Sequence, residues 1–443
     1  MDLARLEAEL RALPQTWRCG RVIAADGASI TIAGLGAKAR IGDQVRLALD
    51  PRAEGPTGEI IALDGGEARA MVLDPTKGVA LDDLVWLIPE PKLRPCDGWV
   101  GRVIDAFGQP LDDKPLPNGP VAVDIRAPAP AATRRERLGA QIATGLAVTD
   151  TLLPIARGQR IGVFSGSGVG KSQLLSGLAR GVEADIVVFA LIGERGRDLL
   201  EFLDRGLGPE ARARSVVLAA TSDQSALLRR RALWSAMAVA EHFRSHGKHV
   251  LLIVDSLTRF AEAHREVALT AGEPPTLRAF PPSTTNLIAS ATERAGPGEV
   301  GQGAITAIFS VLVAGSDMEE PIADITRGLL DGHIVLEREI AERGRFPAID
   351  AVRSVSRSLP WVVGEEEGRL INRARALLSA YEKARPMVQT GLYVAGSDPA
   401  VDAAVAAFER LDAFIAEASP SGPAASFARL AELLDEGADE APD

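Results

Sequence analysis

The sequence predicts an α/β chain in three parts: a small N-terminal β-barrel, a central domain on a parallel sheet, and a C-terminal helical bundle. Three observations predict it. Residues 17–89 read as short alternating runs, such as Ile30-Thr31-Ile32 and Val45-Arg46-Leu47-Ala48-Leu49, broken by turn signals at Asp26-Gly27 and Gly65-Gly66. From Ile161 onward, continuous apolar runs (IGVF, DIVVFALI, SVVLAA, HVLLIVD, AITAIFSVLV) alternate with helix-like segments. Strands apolar on both faces and separated by helices form a parallel sheet covered on both sides. Beyond Gly364 the strands stop. Leu370, Leu377, Leu378 and Tyr381, then Val401, Val405, Phe408, Leu411 and Phe414, recur at helical spacing.

The N-terminal residues place Leu3, Leu6, Leu10 and Leu13 on one stripe of a short helix, either a docking helix or one packed on its own domain. A Pro-rich passage at Pro89, Pro91 and Pro95 marks the end of the barrel. The expected divisions are a helix at 1–14, the barrel at 15–90, the sheet domain at 91–364 and the helical domain at 365–443, whose acidic end EGADEAPD is poor in apolar groups.

Composition excludes several classes. The 443 residues suffice for a large core, and the 46% hydrophobic and 25% charged fractions are those of a soluble globular protein. No apolar run approaches the roughly 18–20 residues that span a bilayer, and the start lacks the pattern of a secretory signal, so a cytoplasmic location is expected. Cys19 and Cys96 match no metal spacing and read as small buried hydrophobes rather than a disulfide. A net charge of −11 is a poor footprint for binding nucleic acid. The five histidines read as forming no helix pair of the HExxH kind, so no protein-ligated transition metal is expected.

Three elements carry chemistry. The strand at Ile161–Phe164 runs into Ser165-Gly166-Ser167-Gly168-Val169-Gly170-Lys171-Ser172 and then a helix-like segment. That order lets backbone N–H groups wrap a polyphosphate at the positive end of a helix dipole, with Lys171 reaching the outer phosphates and Ser172 offering a hydroxyl to Mg²⁺. The pattern GxxxxGK[ST] fails at its first position, where Ser165 stands instead of glycine; the bland alternative is a glycine-rich turn with an incidental lysine. Asp255 ends the apolar run Val250–Val254, as a carboxylate that supports Mg²⁺ must, although many buried strands end in a helix-capping aspartate. Glu194, after the strand DIVVFALI, falls at the carboxyl end of a parallel strand, where a carboxylate can orient and deprotonate water; a salt-bridged loop carboxylate is the alternative.

With Gly193-Glu194-Arg195-Gly196-Arg197-Asp198, Asp255-Ser256-Leu257-Thr258-Arg259-Phe260, Glu273-Pro274-Pro275, Asp331-Gly332-His333-Ile334-Val335-Leu336 and Phe346-Pro347-Ala348-Ile349-Asp350, the chain resembles the rotary ATPase α/β family over residues 17–415. Within it, the phrases RFAEAHREVAL, PPSTTNLIASATERAG and VLVAGSDMEEPIAD look most like the flagellar type III export ATPases, ahead of those of virulence injectisomes. The resemblance implies a barrel, a central P-loop (RecA/F1-like) ATPase domain and a helical C-terminal domain, assembled as a homohexamer that hydrolyses ATP with Mg²⁺. It implies that Gly166, Ser167, Gly168, Val169, Gly170, Lys171 and Ser172 hold phosphate, that Ser172 and Asp255 hold the metal, and that Glu194 activates water beside Arg195. Phe346 would stack on adenine. Arg357 matches an arginine inserted into a neighbour's site, a device that accelerates phosphoryl transfer on the order of 10³- to 10⁵-fold.

By resemblance, the N-terminal helix would meet a regulatory protein of the export apparatus. The C-terminal domain would meet a coiled-coil stalk and chaperone–substrate complexes, and the whole would lie peripheral to the inner membrane at an export gate. A hexameric nucleic-acid motor of the termination-helicase type is a second reading, opposed by the charge and by the lack of interleaved aromatics on the barrel. Its one compact basic run, Arg229-Arg230-Arg231, reads as a solvated or subunit-facing helix surface. A non-catalytic ring subunit is a third reading, opposed by the intact Lys171, Glu194 and Asp255. The acidic coupling loop of synthase catalytic subunits is not recognisable, and nothing points to proton transport.

Overall fold

A computed structural model describes residues 16–36, 39–73, 78–276, 279–313, 318–359 and 361–435. The expected helix at 1–14 and the acidic end lie outside the described residues. The chain divides into two compact units. One takes the residues up to Lys92 with Asp223–Arg230 and Glu262–Thr284; the other takes Leu93–Ser222, Arg231–Ala261 and the chain from Thr285 onward.

In the first unit, the alternating runs become β1 (Cys19–Ala25), β2 (Ser29–Ala33), β3 (Gln44–Leu47), β4 (Thr57–Asp64), β5 (Glu67–Val72) and β6 (Leu84–Ile88). They close into a barrel in the order β1-β2-β5-β4-β3-β6, which removes the free edge of an open sheet. The alternation points Val22, Ile30, Ile32, Val45, Ile60, Ala70 and Val85 inward, each fully buried. Ile61 and Met71 of the barrel strands pack with Leu227, Ala263 and Val267. Arg230 and Glu59, both buried, pair at 2.9 Å.

In the second unit, the apolar runs become β8 (Arg160–Ser165), β9 (Ile186–Ile192), β10 (Ser215–Ala220), β11 (His249–Asp255) and β13 (Ala304–Leu312). With β7 (Val103–Ile104), β12 (Gly296–Pro297), β14 (Gly332–Leu336) and β15 (Ile349–Ser356), they make a nine-stranded sheet among the described residues. Its order is β15-β14-β8-β13-β11-β9-β10-β7, with β12 paired to β13. The run from β14 to β7 is parallel, and β15 returns antiparallel to β14. Every residue of β9, β10 and β11 is buried, as continuous apolar runs require. The C-terminal helices Glu365–Gln389, Pro399–Ala416 and Pro423–Asp435 add Leu378, Leu411, Phe414, Leu430 and Leu434 to the hydrophobic cluster that contains the sheet.

Three expectations are corrected. The run Arg229–Arg231 is not a solvated face: Arg229 pairs with Glu266 at 2.9 Å, Arg230 holds Glu59, and the buried Arg231 lies over the Phe107 ring at 4.3 Å. Cys19 and Cys96 are unpaired, as expected, but only half-buried, each with its Sγ donating to a backbone oxygen, Gly20 O and Pro117 O. The histidines nonetheless include a close pair at a helix end, since His242 in the helix Ala226–Ser245 and His246 in the turn just past it bring their rings to 4.5 Å. No group of three metal-ligating side chains forms among the described residues. No described helix is long and apolar enough to cross a membrane.

Candidate nucleotide site

The register brings the ends of four neighbouring strands together: Ser165 of β8 lies opposite Leu312 of β13, Phe309 opposite Val254 of β11, and Asp255 opposite Leu191 of β9. Ligands of parallel sheets bind at this edge. The loop 166–170 leaves β8 there and turns into the helix Lys171–Gly181 through Gly170, which sits at φ +86 where a side chain would be strained. A Cβ on Gly170 would also come within 3.0 Å of the Phe346 ring, so the aromatic rests directly on the loop. Val169 is buried in the core and anchors the loop, while Ser167, Gly168 and Ser172 face outward.

The Lys171 ammonium pairs with the Asp255 carboxylate and lies 3.7 Å from Glu194 Oε1. Asp255 Oδ1 also accepts from Ser310 Oγ, at 2.7 Å, from the fully buried middle of β13. Glu194 is half-buried. Burial, reinforced by the nearby Asp255, pushes its carboxyl pKa up against the opposing pull of Lys171 and Arg259. That is the direction a general base working near neutrality needs. Behind it, Gly193 at φ +72 leaves space that the Arg259 side chain fills, 3.1 Å from where a Cβ would be. A cavity of about 400 Å³ opens beside Ser172, Glu194 and Asp255. Sequence reasoning missed Ser310 and Arg259; a serine inside an apolar strand carries no signal, whereas Arg259 lies four residues past Asp255 on the same motif.

Phe346 and Arg357 are separated by β15. Leu336 of β14 aligns with Ser165 of β8 and with Ile349, the first residue of β15, while Gly332 aligns with Ser356, its last. Phe346 therefore lies at the loop edge of the sheet and Arg357 at the opposite edge. The eight residues of β15 bulge against the five of β14, which span roughly 13 Å; Arg357, whose N–H donates to Asp331 O, starts one step beyond that end and the loop lies past Ser165 at the other, farther apart than a side chain extends. Arg357 is exposed, its Nη2 donating to Arg327 O at 3.3 Å. Arg195 is exposed beside Glu194 at the start of the helix Gly196–Glu201.

Residues 145–356 match the model of the ATP synthase alpha/beta family, nucleotide-binding domain. Over 424 residues the chain is 42% identical to the flagellum-specific ATP synthase of Caulobacter vibrioides, covering 94% of this chain and 95% of that one. The chain belongs to the ATP synthase alpha/beta family. Membership makes it an ATPase with a nucleotide as substrate, and the strand-loop-helix at 160–181 faces the carboxylates of Asp255 and Glu194. Residues 363–432 match the T3SS EscN ATPase C-terminal domain, the type III export branch of this family. Among solved structures, the assembled ATPase EscN from the enteropathogenic E. coli type III secretion system superposes with a TM-score of 0.87 at 36% identity, covering 94% of this chain and 100% of that one. EscN in complex with its central stalk EscO superposes with a TM-score of 0.84, at the same identity and coverage.

Proposed function

We propose that this ATPase serves the flagellar type III export apparatus, hydrolysing Mg²⁺-ATP at sites shared between the subunits of a homohexameric ring and coupling it to delivery and unfolding of export substrates. The observation that carries the shared-site reading is the distance between Arg357 and its own phosphate loop. An arginine that cannot reach its own site, yet lies exposed at a sheet edge, serves the site of a neighbour. One chain carries both Glu194 and Arg357, so identical subunits complete every interface in a closed ring.

Within each site, the N–H groups of 166–170 and Lys171 cradle the phosphates. The donor set fits a hard divalent cation: the Ser172 hydroxyl and the Asp255 carboxylate are oxygen ligands, and Ser310 fixes the carboxylate. Bound Mg²⁺ would neutralise charge on the phosphate oxygens. Lys171 turns from the carboxylates toward the phosphates, and Glu194 accepts the proton of the attacking water. Arg195 lies beside it, Phe346 stacks on adenine, and the neighbour's Arg357 offsets charge on the transferred group.

We assign the working parts as barrel 15–90, ATPase domain 91–364 and helical domain 365–443. A regulatory protein docks on the helix at 1–14. A coiled-coil stalk, in the place of the central stalk EscO that EscN binds, and chaperone–substrate complexes meet the helical domain; the ring sits in the cytoplasm, peripheral to the membrane export gate. We count nucleic acid out as a partner because the net charge is −11 and the run Arg229–Arg231 is taken up by Glu266, Glu59 and the Phe107 ring. The flagellar reading is favoured over the injectisome by a flagellum-specific relative matched over nearly the whole of both chains.

Mg²⁺-dependent ATP hydrolysis measured against protein concentration tests the shared site. Specific activity should rise cooperatively as rings form, and a rate per chain that is the same at every dilution would refute it. Loss of flagellar filaments in cells lacking the gene tests the cargo, and normal filaments would reject it.

A further inference from the structure

Trp361 stands 87% exposed, four residues beyond Arg357 in the turn that leaves β15, its backbone N–H donating to Ser358 O at 2.8 Å. Leu359 and Val363, two residues to either side of it, line a groove of about 420 Å³ together with Glu365, Arg369 and Ile371. The helix that follows opens with the exposed acids Glu365 and Glu366. An indole held in water at the rim of a groove has the form of an interface anchor.

A complementary surface lies at the other edge of the sheet. In the helix Gly196–Glu201, Asp198, Leu199 and Glu201 line the cavity beside Glu194. Arg197 and Leu200, three apart and outside that lining, share the remaining face. Both are exposed, Leu200 by 62%, and Arg195 is exposed next to them.

We infer that these two surfaces meet between neighbouring copies of the chain, with Trp361 packed on Leu200 and Arg197 of the next subunit while Glu365 and Glu366 face Arg195 and Arg197. The indole face attracts a guanidinium and covers an isobutyl group, so one aromatic accounts for both. Glu365 and Glu366 on the Trp361 side complement Arg195 and Arg197 on the other, with Arg369 and Asp198 of opposite sign beside them. Glu366 meets Arg369 at 3.8 Å with both side chains exposed, a pair weak enough to open. This contact rests on the shared-site reading and deepens it. Arg357 and Trp361 leave one strand end together, and Glu194 and the helix Gly196–Glu201 follow one strand end together. The contact that seats Trp361 thereby brings Arg357 to the Glu194 side of the neighbour's site. Trp361 is a positioning residue and touches no reacting atom.

Cross-linking tests it in the full chain with Cys19 and Cys96 replaced by serine. Under mild oxidation with Mg²⁺-ADP, the double variant Trp361→Cys/Leu200→Cys should give a ladder of disulfide-linked oligomers, and either single cysteine alone should give none. In the wild-type background, Trp361→Ala should raise the protein concentration for half-maximal ATPase by about tenfold or more, with the rate at saturating protein retained and Trp361→Phe restoring assembly. No ladder in a chain that still assembles, and whose Glu194→Ala and Arg357→Ala variants rescue each other, overturns this contact and leaves the shared site standing. No assembly at any concentration overturns both.

Discussion

Two buried serines at the phosphate edge of adjacent strands should respond to the same substitution with opposite signs. Ser310 is 0% exposed and donates to Asp255 at 2.7 Å, whereas Ser165, 2% exposed, has a hydroxyl with no hydrogen-bond partner among the described residues. Ser310→Ala removes a hydrogen bond to a charged acceptor and should destabilise the ligand-free protein by about 1.5–3 kcal/mol. Ser165→Ala removes a desolvated group that gains nothing in return, and should be neutral or stabilising by up to about 1–3 kcal/mol. Urea denaturation of the two variants, under one buffer, reads the difference. A second readout concerns the metal. Ser310 orients Asp255, so its loss should raise the Mg²⁺ concentration for half-maximal ATPase about 10- to 100-fold, as when a support behind a metal ligand is removed, while Ser165→Ala should leave it unchanged. Equal destabilisation by both substitutions, or an unaltered Mg²⁺ requirement in Ser310→Ala, would show that Ser310 does not hold Asp255 in place.

Further expectations follow from buried charge. Glu194→Gln should lower kcat by about 10²- to 10⁴-fold with ATP binding retained, measured by turnover and by nucleotide titration. Because the folded state raises the Glu194 pKa above its ordinary 4.5, its contribution to stability is present at low pH and lost as pH rises through the raised value. Glu194→Gln should therefore be the more stable form in thermal melts at neutral pH and lose that advantage below 4.5. His249 and His264 are held down to about 4 by burial, against an ordinary 6.5. The stability they contribute should be full above 6.5 and lost as pH falls toward 4, and glutamine at both positions should flatten melting curves across that window. Arg230→Met should cost about 3–5 kcal/mol in a denaturant titration, because it removes the buried guanidinium that balances the buried Glu59 carboxylate.

The parts legible in the sequence were those in which one residue type at one spacing has a single use. Continuous apolar runs gave the parallel strands because a strand buried on both faces tolerates little else, and the order of strand, glycine loop and Lys171-led helix was readable despite Ser165. Asp255 and Glu194 followed from their positions at strand ends. Ser310 was illegible: one hydroxyl in AITAIFSVLV has the same sequence signal whether it packs or holds a carboxylate. The basic run misled because Arg229, Arg230 and Arg231 look alike in sequence, whereas Glu266, Glu59 and the Phe107 ring come from distant segments that only the fold assembles. The same limit hid the inclusion of Asp223–Arg230 and Glu262–Thr284 in the barrel unit, since interleaved segments leave no boundary signal of their own. Arg357 was readable as a residue by resemblance, but that it lies at the sheet edge opposite its own loop needed the register of β14 and β15.

In the shared-site ring proposed above, each ATP site takes its carboxylate from one subunit and its arginine from the next. Glu194→Ala and Arg357→Ala, each inactive alone, can be mixed in equal amounts and assayed for Mg²⁺-dependent ATPase after exchange of subunits. A head-to-tail interface pairs an intact Glu194 with an intact Arg357 in one random arrangement of four, so the mixture should recover about a quarter of the wild-type rate. A mixture as inactive as its components would contradict the account.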